Sequence, residues 1–338
     1  IFSPIILLIR AVVIAVIVIL SSEQLNYLGI SLGMVAASID LISNLFSPVE
    51  NLGMELQSIQ QAISGVQRVN DFYNESEDDG KDNSLYFADI IPQREEFNLS
   101  FNDVTFQYEQ DNDVLQNINL NLNARDKVTF VGRTGAGKST LFKLVMGLLK
   151  PASGSITING IDVYSIPNRE KRKIFGYVEQ NFHIIPGTVA DQISLQDESI
   201  TRKQIEKALD FVGLTDYVET MENGLDTRLN NDTLFSRGQQ QLLAIARATV
   251  MNPPILLLDE ITANLDSITE ERVVSVLQKA SAAHTILSIS HRLSSMISSD
   301  MIVILENGRI KNFGAAKTLW QDDDWYRSHM ALERLTWR

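Results

Sequence analysis

The chain has no cysteine, which excludes disulfides and Cys-based metal sites. An excess of positive charge is also missing. Lys and Arg number 29 against 42 Asp and Glu, a formal net charge of −13. A nucleic-acid partner usually demands a basic face, so none is expected. No Met opens the sequence, which starts at Ile1 in apolar residues; the expectation is the C-terminal part of a longer polypeptide, cut inside a membrane domain. Residues 1–20 contain one charge, Arg10, and a spanning helix needs about 20 apolar residues. No basic start precedes this run and no small-residue cleavage site follows it, which argues against a signal peptide. A buried core helix would have to find Arg10 a partner, and in a bilayer Arg10 should face a helix bundle or a water-filled cavity.

A second apolar stretch, 28–49, carries Asp40 and the small residues Gly29, Gly33, Ala36, Ala37 and Ser38, which suit close helix packing in lipid. The connection 21–27 has no Lys or Arg and reads as the outer loop, so Arg68 and everything beyond it should be cytoplasmic. Past Pro48 the helical spacing continues through Leu52, Leu56, Ile59, Ile63, Val66 and Val69. Residues 74–84 are acidic without an apolar residue and read as a linker. The expected organisation is a membrane part at 1–72 (spans about 1–20 and 28–50, then a cytosolic extension), a linker at 73–96, and a soluble domain at 97–338.

That domain opens on alternating runs around Leu99, Phe101, Val104 and Phe106, and again at Ile118, Leu120 and Leu122, the period of half-buried strands. The string 155–163 suggests a further β layer, and 183–250 reads as mainly helical. Ile255–Leu258 and 285–290 look like strands buried on both faces of a parallel sheet. The expected fold is an α/β P-loop NTPase with a parallel sheet core, an antiparallel β layer and a helical subdomain, preceded by all-α transmembrane helices.

Val128–Val131 leads into Gly132, Arg133, Thr134, Gly135, Ala136, Gly137, Lys138, Ser139 and Thr140, a complete G-x-x-x-x-G-K-[ST] string. Glycines let backbone N–H groups turn inward around a phosphate, and the next helix presents its N-terminus to the same anion. Lys138 places a cation near the β- and γ-phosphates, and the Ser139 hydroxyl is a ligand for Mg2+. Downstream, the apolar run Ile255–Leu258 ends on Asp259 and Glu260. Asp259 is the candidate Mg2+ carboxylate, acting through water, and Glu260 the candidate general base.

With these residues in order, the chain resembles the ABC transporter superfamily, exporter type, over essentially all 338 residues. The resemblance implies that Tyr108 stacks on adenine, and that Gln180 touches Mg2+ and the attacking water and relays ATP occupancy to the membrane helices. It implies that Phe235-Ser236-Arg237-Gly238-Gln239 is the signature loop, which binds the γ-phosphate of a partner's site in trans. Phe and Arg here replace the family's Leu and first Gly; Arg237 adds a cation beside the phosphates. Asp266, after Ala263-Asn264-Leu265, matches the D-loop, and His291 the switch histidine on the γ-phosphate. The implied protein is a half-transporter in a bacterial plasma membrane, with its cassette in the cytoplasm. It would bind ATP and Mg2+ and pair with a second such chain as homodimer or heterodimer, amid membrane lipid, to move an unidentified substrate.

Three other readings meet specific residues. A soluble ABC ATPase of translation or repair should lack spans, against residues 1–50. A regulatory cassette that holds ATP without cleaving it should lack Glu260 or His291. An importer ATPase usually sits on a chain separate from its spans.

Overall fold

The structure, a computed structural model, describes all residues except 1, 25–31, 75–83, 95, 110–111, 230–234, 263–264, 291–298 and 337–338. His291, Ala263 and Asn264 therefore lie outside the described residues. The chain divides into two compact units, residues 1–79 and 80–338.

The first unit is helical: α1 (Phe2–Gln24) and α2 (Leu32–Asn74), the latter continuous through Pro48. The expected spans fall largely on these two helices. Among the described residues no helix is long and apolar enough to cross a membrane; in α1, side chains are described at 5–20. Apolar side chains of both helices stand exposed, among them Leu8 at 67% and Leu41 at 73%. Arg10 donates to Ser43 Oγ across the pair at 3.3 Å.

The second unit begins with α3 (Phe87–Ile90). Residues 85–96, read from composition as the last part of the linker, carry Ile90 and Ile91 into the core, both essentially without solvent exposure. The strands β1 (Asn98–Gln107), β2 (Asp113–Asn123), β4 (Ser153–Ile158) and β5 (Ile161–Asp162) form an antiparallel sheet in the order β2-β1-β4-β5. Asn159-Gly160 joins β4 to β5 with φ 50° and 83°, the pair of left-handed residues that a two-residue hairpin of matching twist requires.

The larger sheet holds β3 (Lys127–Val131), β6 (Phe175–Val178), β9 (Ile255–Asp259), β10 (Thr285–Ile289), β11 (Met301–Glu306) and β12 (Arg309–Gly314), in the order β12-β11-β3-β10-β9-β6. Only β12 runs antiparallel to its neighbour; β11, β3, β10, β9 and β6 are parallel. Leu256 and Leu257, adjacent on β9, are both buried, on opposite faces of the sheet and in different clusters. That explains why this strand is continuously apolar instead of alternating. α4 (Lys138–Val145) follows β3, and α5 (Asn168–Ile174) precedes β6.

The stretch read as mainly helical holds β7 (Gly187–Thr188), α6 (Val189–Ser194), α7 (Arg202–Phe211), α8 (Thr215–Glu219), β8 (Arg228–Leu229) and α9 (Arg237–Thr249), with β7 and β8 paired antiparallel. α10 (Ser267–Ala280) links β9 to β10, and helices at Ala316–Asp322 and Asp324–Thr336 close the chain.

Candidate functional site

Because β3, β10, β9 and β6 are parallel neighbours, their C-terminal ends meet on one edge. In open α/β sheets this is the edge where ligands bind. It gathers the phosphate loop after Val131, Asp259 and Glu260 at the end of β9, and Gln180 two residues past β6.

The loop has the shape its glycines require. Gly135 and Gly137 adopt φ 84° and 96°, left-handed values that cost an L side chain. Gly137 caps α4, and a Cβ there would lie 2.6 Å from Leu115 Cδ2. Lys138 is buried, its Nζ donating to the carbonyls of Gly132 (2.8 Å) and Arg133 (3.1 Å). Burial pushes this ammonium below its usual range, against the opposing pull of Glu260 and Asp259. Arg133, Thr134, Gly135 and Ser139 are exposed on the loop, while Gly132, Ala136 and Thr140 are buried.

Asp259 sits among hydroxyls. Tyr177 OH donates to its Oδ2 at 3.3 Å, and the Ser139 side chain favours its charged form. Burial pushes the Asp259 carboxyl up, with both hydroxyls opposing, and burial together with the Asp259 charge pushes the Tyr177 phenol up. Glu260 has φ 49°, an uncommon conformation for a non-glycine residue. It is pinned there by its N–H donating to Ile289 O at 3.0 Å. Its Oε2 accepts from Gln180 Nε2 at 3.1 Å. Thus Ser139, Asp259, Glu260 and Gln180 lie together at the strand ends.

These donors suit Mg2+. A hydroxyl, a carboxylate and an amide carbonyl are hard oxygen ligands, and Mg2+ usually takes only one or two carboxylates plus water and substrate phosphates.

Tyr108, 57% exposed, packs edge-on against Phe106 with its OH 3.3 Å from Thr140 Oγ1, on the flank of the phosphate loop. The one member of this cluster that the sequence reading passes over is Tyr177. Inside the apolar string IFGYV it looks like core, and only the strand register shows where its ring points.

The FSRGQ segment forms a separate structure. Phe235 is buried with its ring 5.6 Å from that of Tyr217, which anchors the segment to the helical subdomain. Ser236 caps α9: its Oγ accepts from Gln239 N–H (3.3 Å), and Gln239 Oε1 accepts from Ser236 N–H (2.8 Å). This is a capping box, and it leaves the serine proton available to an anion in front of the helix. Arg237 is exposed in the first turn of α9. The groove beside Gln239 is lined by residues of the helical subdomain and α10, such as Asp210 and Arg272, and by none of the phosphate loop.

Gly238 is buried against α10. A Cβ there would fall 1.9 Å from Thr269 Cγ2. Thr269 N–H in turn donates to the exposed Asp266, the cap of α10, at 3.0 Å, and the Thr269 hydrogen bonds hold the Asp266 carboxyl below its usual range. Thr269 therefore joins the two segments. Gly238→Ala should cost about 1–3 kcal/mol through overpacking, and adding Thr269→Ser, which deletes the colliding methyl, should restore most of it. Denaturant unfolding of the single and double variants checks this; equal losses in both would sink the steric account.

Comparison with known proteins fits this geometry. Residues 115–263 match the ABC transporter family. The lactococcin-A transport/processing ATP-binding protein of Lactococcus lactis subsp. lactis is 32% identical over 300 residues, covering 88% of this chain and 41% of that protein. The ATP-dependent lipid A-core flippase of Chromobacterium violaceum is 31% identical over 309 residues, covering 90% and 52% respectively. The solved structure of a bacterial Atm1-family ABC exporter with ATP bound superposes with a TM-score of 0.70 at 26% identity, over 96% of this chain and 56% of that one. The chain thus spans about half the length of the relatives it matches. Through a phosphate loop and a shared domain fold, the chain belongs to the ABC transporter family and is similar to its exporters.

Proposed function

We propose that this chain is an ATP-hydrolysing subunit of a membrane exporter. In this reading residues 1–72 belong to the membrane part and 97–338 form the cytoplasmic cassette, with ATP and Mg2+ at the strand edge. The exposed apolar side chains along α1 and α2, such as Ile19 at 60% and Leu45 at 70%, favour a lipid-facing pair of helices. The observation that carries the proposal is the division of phosphate-binding groups between two structures. The loop 132–140 and the N-terminus of α9 each offer N–H groups and a hydroxyl to an anion, yet the loop follows β3 while the start of α9 is held by Tyr217 and Thr269. A nucleotide held by both needs two cassettes, each supplying the other's missing half.

Each side chain then has a role. Tyr108 stacks on adenine, Lys138 and the loop amides hold the phosphates, and Ser236, Arg237 and the N–H of Gly238 reach the partner's γ-phosphate. Ser139, Asp259 and Gln180 would hold Mg2+, which when bound neutralises phosphate charge. Glu260 takes the proton of the attacking water. Asp266 and His291 complete the site in line with the family pattern. Closure of the pair on ATP and reopening after hydrolysis drive the membrane helices between inward and outward access. All motifs of one competent site stand on this single chain, which favours a homodimer.

The absence of native cysteine makes the test clean. Thr134→Cys together with Arg237→Cys should give an oxidised inter-chain dimer whose yield rises when ATP is added without Mg2+, and neither single variant should give that product. A cross-link indifferent to ATP, or none at all, would exclude the shared site.

A further inference from the structure

The strand β6 is turned by a glycine. A Cβ at Gly176 would lie 2.3 Å from Ala248 O at the end of α9, so this face of β6 touches helix backbone and admits no side chain. Successive strand residues point to opposite faces, and Tyr177 is therefore directed away from α9. In the parallel register of β6 and β9, Tyr177 stands beside Leu257. Asp259 is two residues further on, on the same face as Leu257, within diagonal reach of a long side chain. Tyr177 OH closes that gap and donates to Asp259 Oδ2 at 3.3 Å. From the phosphate loop the Ser139 side chain also favours the charged form of Asp259.

We infer that Tyr177 is a positioning residue for the metal-binding carboxylate: its hydroxyl fixes the rotation of Asp259 so that the carboxylate faces the metal before nucleotide arrives. The inference rests on the proposed metal role of Asp259. A carboxylate has two oxygens and several lone-pair directions. Without that hydroxyl it can turn about its Cβ–Cγ bond, and partners of metal-binding groups typically contribute ten- to hundredfold in metal affinity. Phenylalanine at 177 would keep the ring and its packing and delete only the donor.

The test uses the full chain and Mn2+ as the probe ion. With nucleotide kept below the protein concentration, so that little ATP is free to chelate the ion, Mn2+ binding is followed by the loss of the free-ion electron paramagnetic resonance signal; binding of a fluorescent ATP analogue in EDTA is measured alongside. Tyr177→Phe should weaken Mn2+ binding about tenfold and leave nucleotide affinity in EDTA unchanged. If Mn2+ affinity in Tyr177→Phe stays at the wild-type level while Asp259→Asn loses it, the positioning role is overturned and the metal site stands. If Asp259→Asn also keeps wild-type Mn2+ affinity, the metal reading itself falls, and the inference with it. A Tyr177→Phe protein that no longer binds nucleotide in EDTA would mark the hydroxyl as a structural support of the fold and overturn the inference as well.

Discussion

Replacing Glu260 by glutamine is expected to lower steady-state ATP hydrolysis at least about a hundredfold, the range a positioned general base contributes, while ATP stays bound. The geometry makes this substitution specific. Backbone position is set by the N–H of residue 260 donating to Ile289 O, with φ at 49°, and neither depends on the side chain. The partner of Oε2 is a donor, Gln180 Nε2 at 3.1 Å, and a glutamine carbonyl can accept the same bond. The negative charge and, with it, the ability to take up a proton are lost. Lys138, the loop amides and Tyr108 are untouched, so nucleotide affinity should remain. Phosphate release measured beside retained radiolabelled ATP separates the two effects, and undiminished release by the purified variant would remove Glu260 from the role of base.

Gln180→Ala gives the complementary comparison. It leaves the carboxylate in place but removes the donor that aims it, so the loss of turnover should be smaller than with Glu260→Gln. Equal losses would mean that the amide does as much as the base.

Some of this site is legible in the sequence because its chemistry is local. Gly132–Thr140 must be contiguous, since one turn of backbone has to wrap one phosphate. The strand-to-acid transition at Leu258–Asp259 is visible because β9 is buried on both faces and so reads as an unbroken apolar run. The serine of FSRGQ and its glutamine three residues on spell a capping box that the structure contains.

Other features depend on pairing between distant segments. Apolar runs of four or five residues look alike whichever neighbours they take, so the order β3-β10-β9-β6 could not be read from them, and with it the meeting of Gln180 and Glu260. Tyr177 was hidden for the same reason: its direction follows from the close contact of Gly176 with Ala248 and from the register with β9. Likewise, nothing around Gly238 announces that Thr269 packs on it. The two-residue strands β7 and β8 are too short to interrupt a helical pattern, and α3 lay hidden beside an acidic stretch whose composition dominated the reading.

Lys138→Ala should weaken ATP binding by about a hundredfold, near 3 kcal/mol, as expected for a charge-assisted contact to phosphate together with the bonds that hold the loop. The size follows from where the ammonium sits. It is 7% exposed and donates to the carbonyls of Gly132 and Arg133, so it closes the loop on itself. Burial lowers its proton affinity while Asp259 and Glu260 raise it; a cation held this way is stable only beside negative charge, which the phosphates of ATP would add. Alanine removes the charge and also leaves two carbonyls of a tight loop without their donor. Lys138→Arg separates these contributions. It keeps the charge, but a planar fork of five donors does not fit where one compact ammonium meets two carbonyls, and it should also lose most of the affinity. Lys143, exposed on the same helix, serves as the control, and its alanine variant should bind as the wild type does. Nucleotide titration of the three proteins decides the matter: if Lys138→Arg binds ATP normally, charge alone holds the phosphates and the loop does not depend on the lysine's shape.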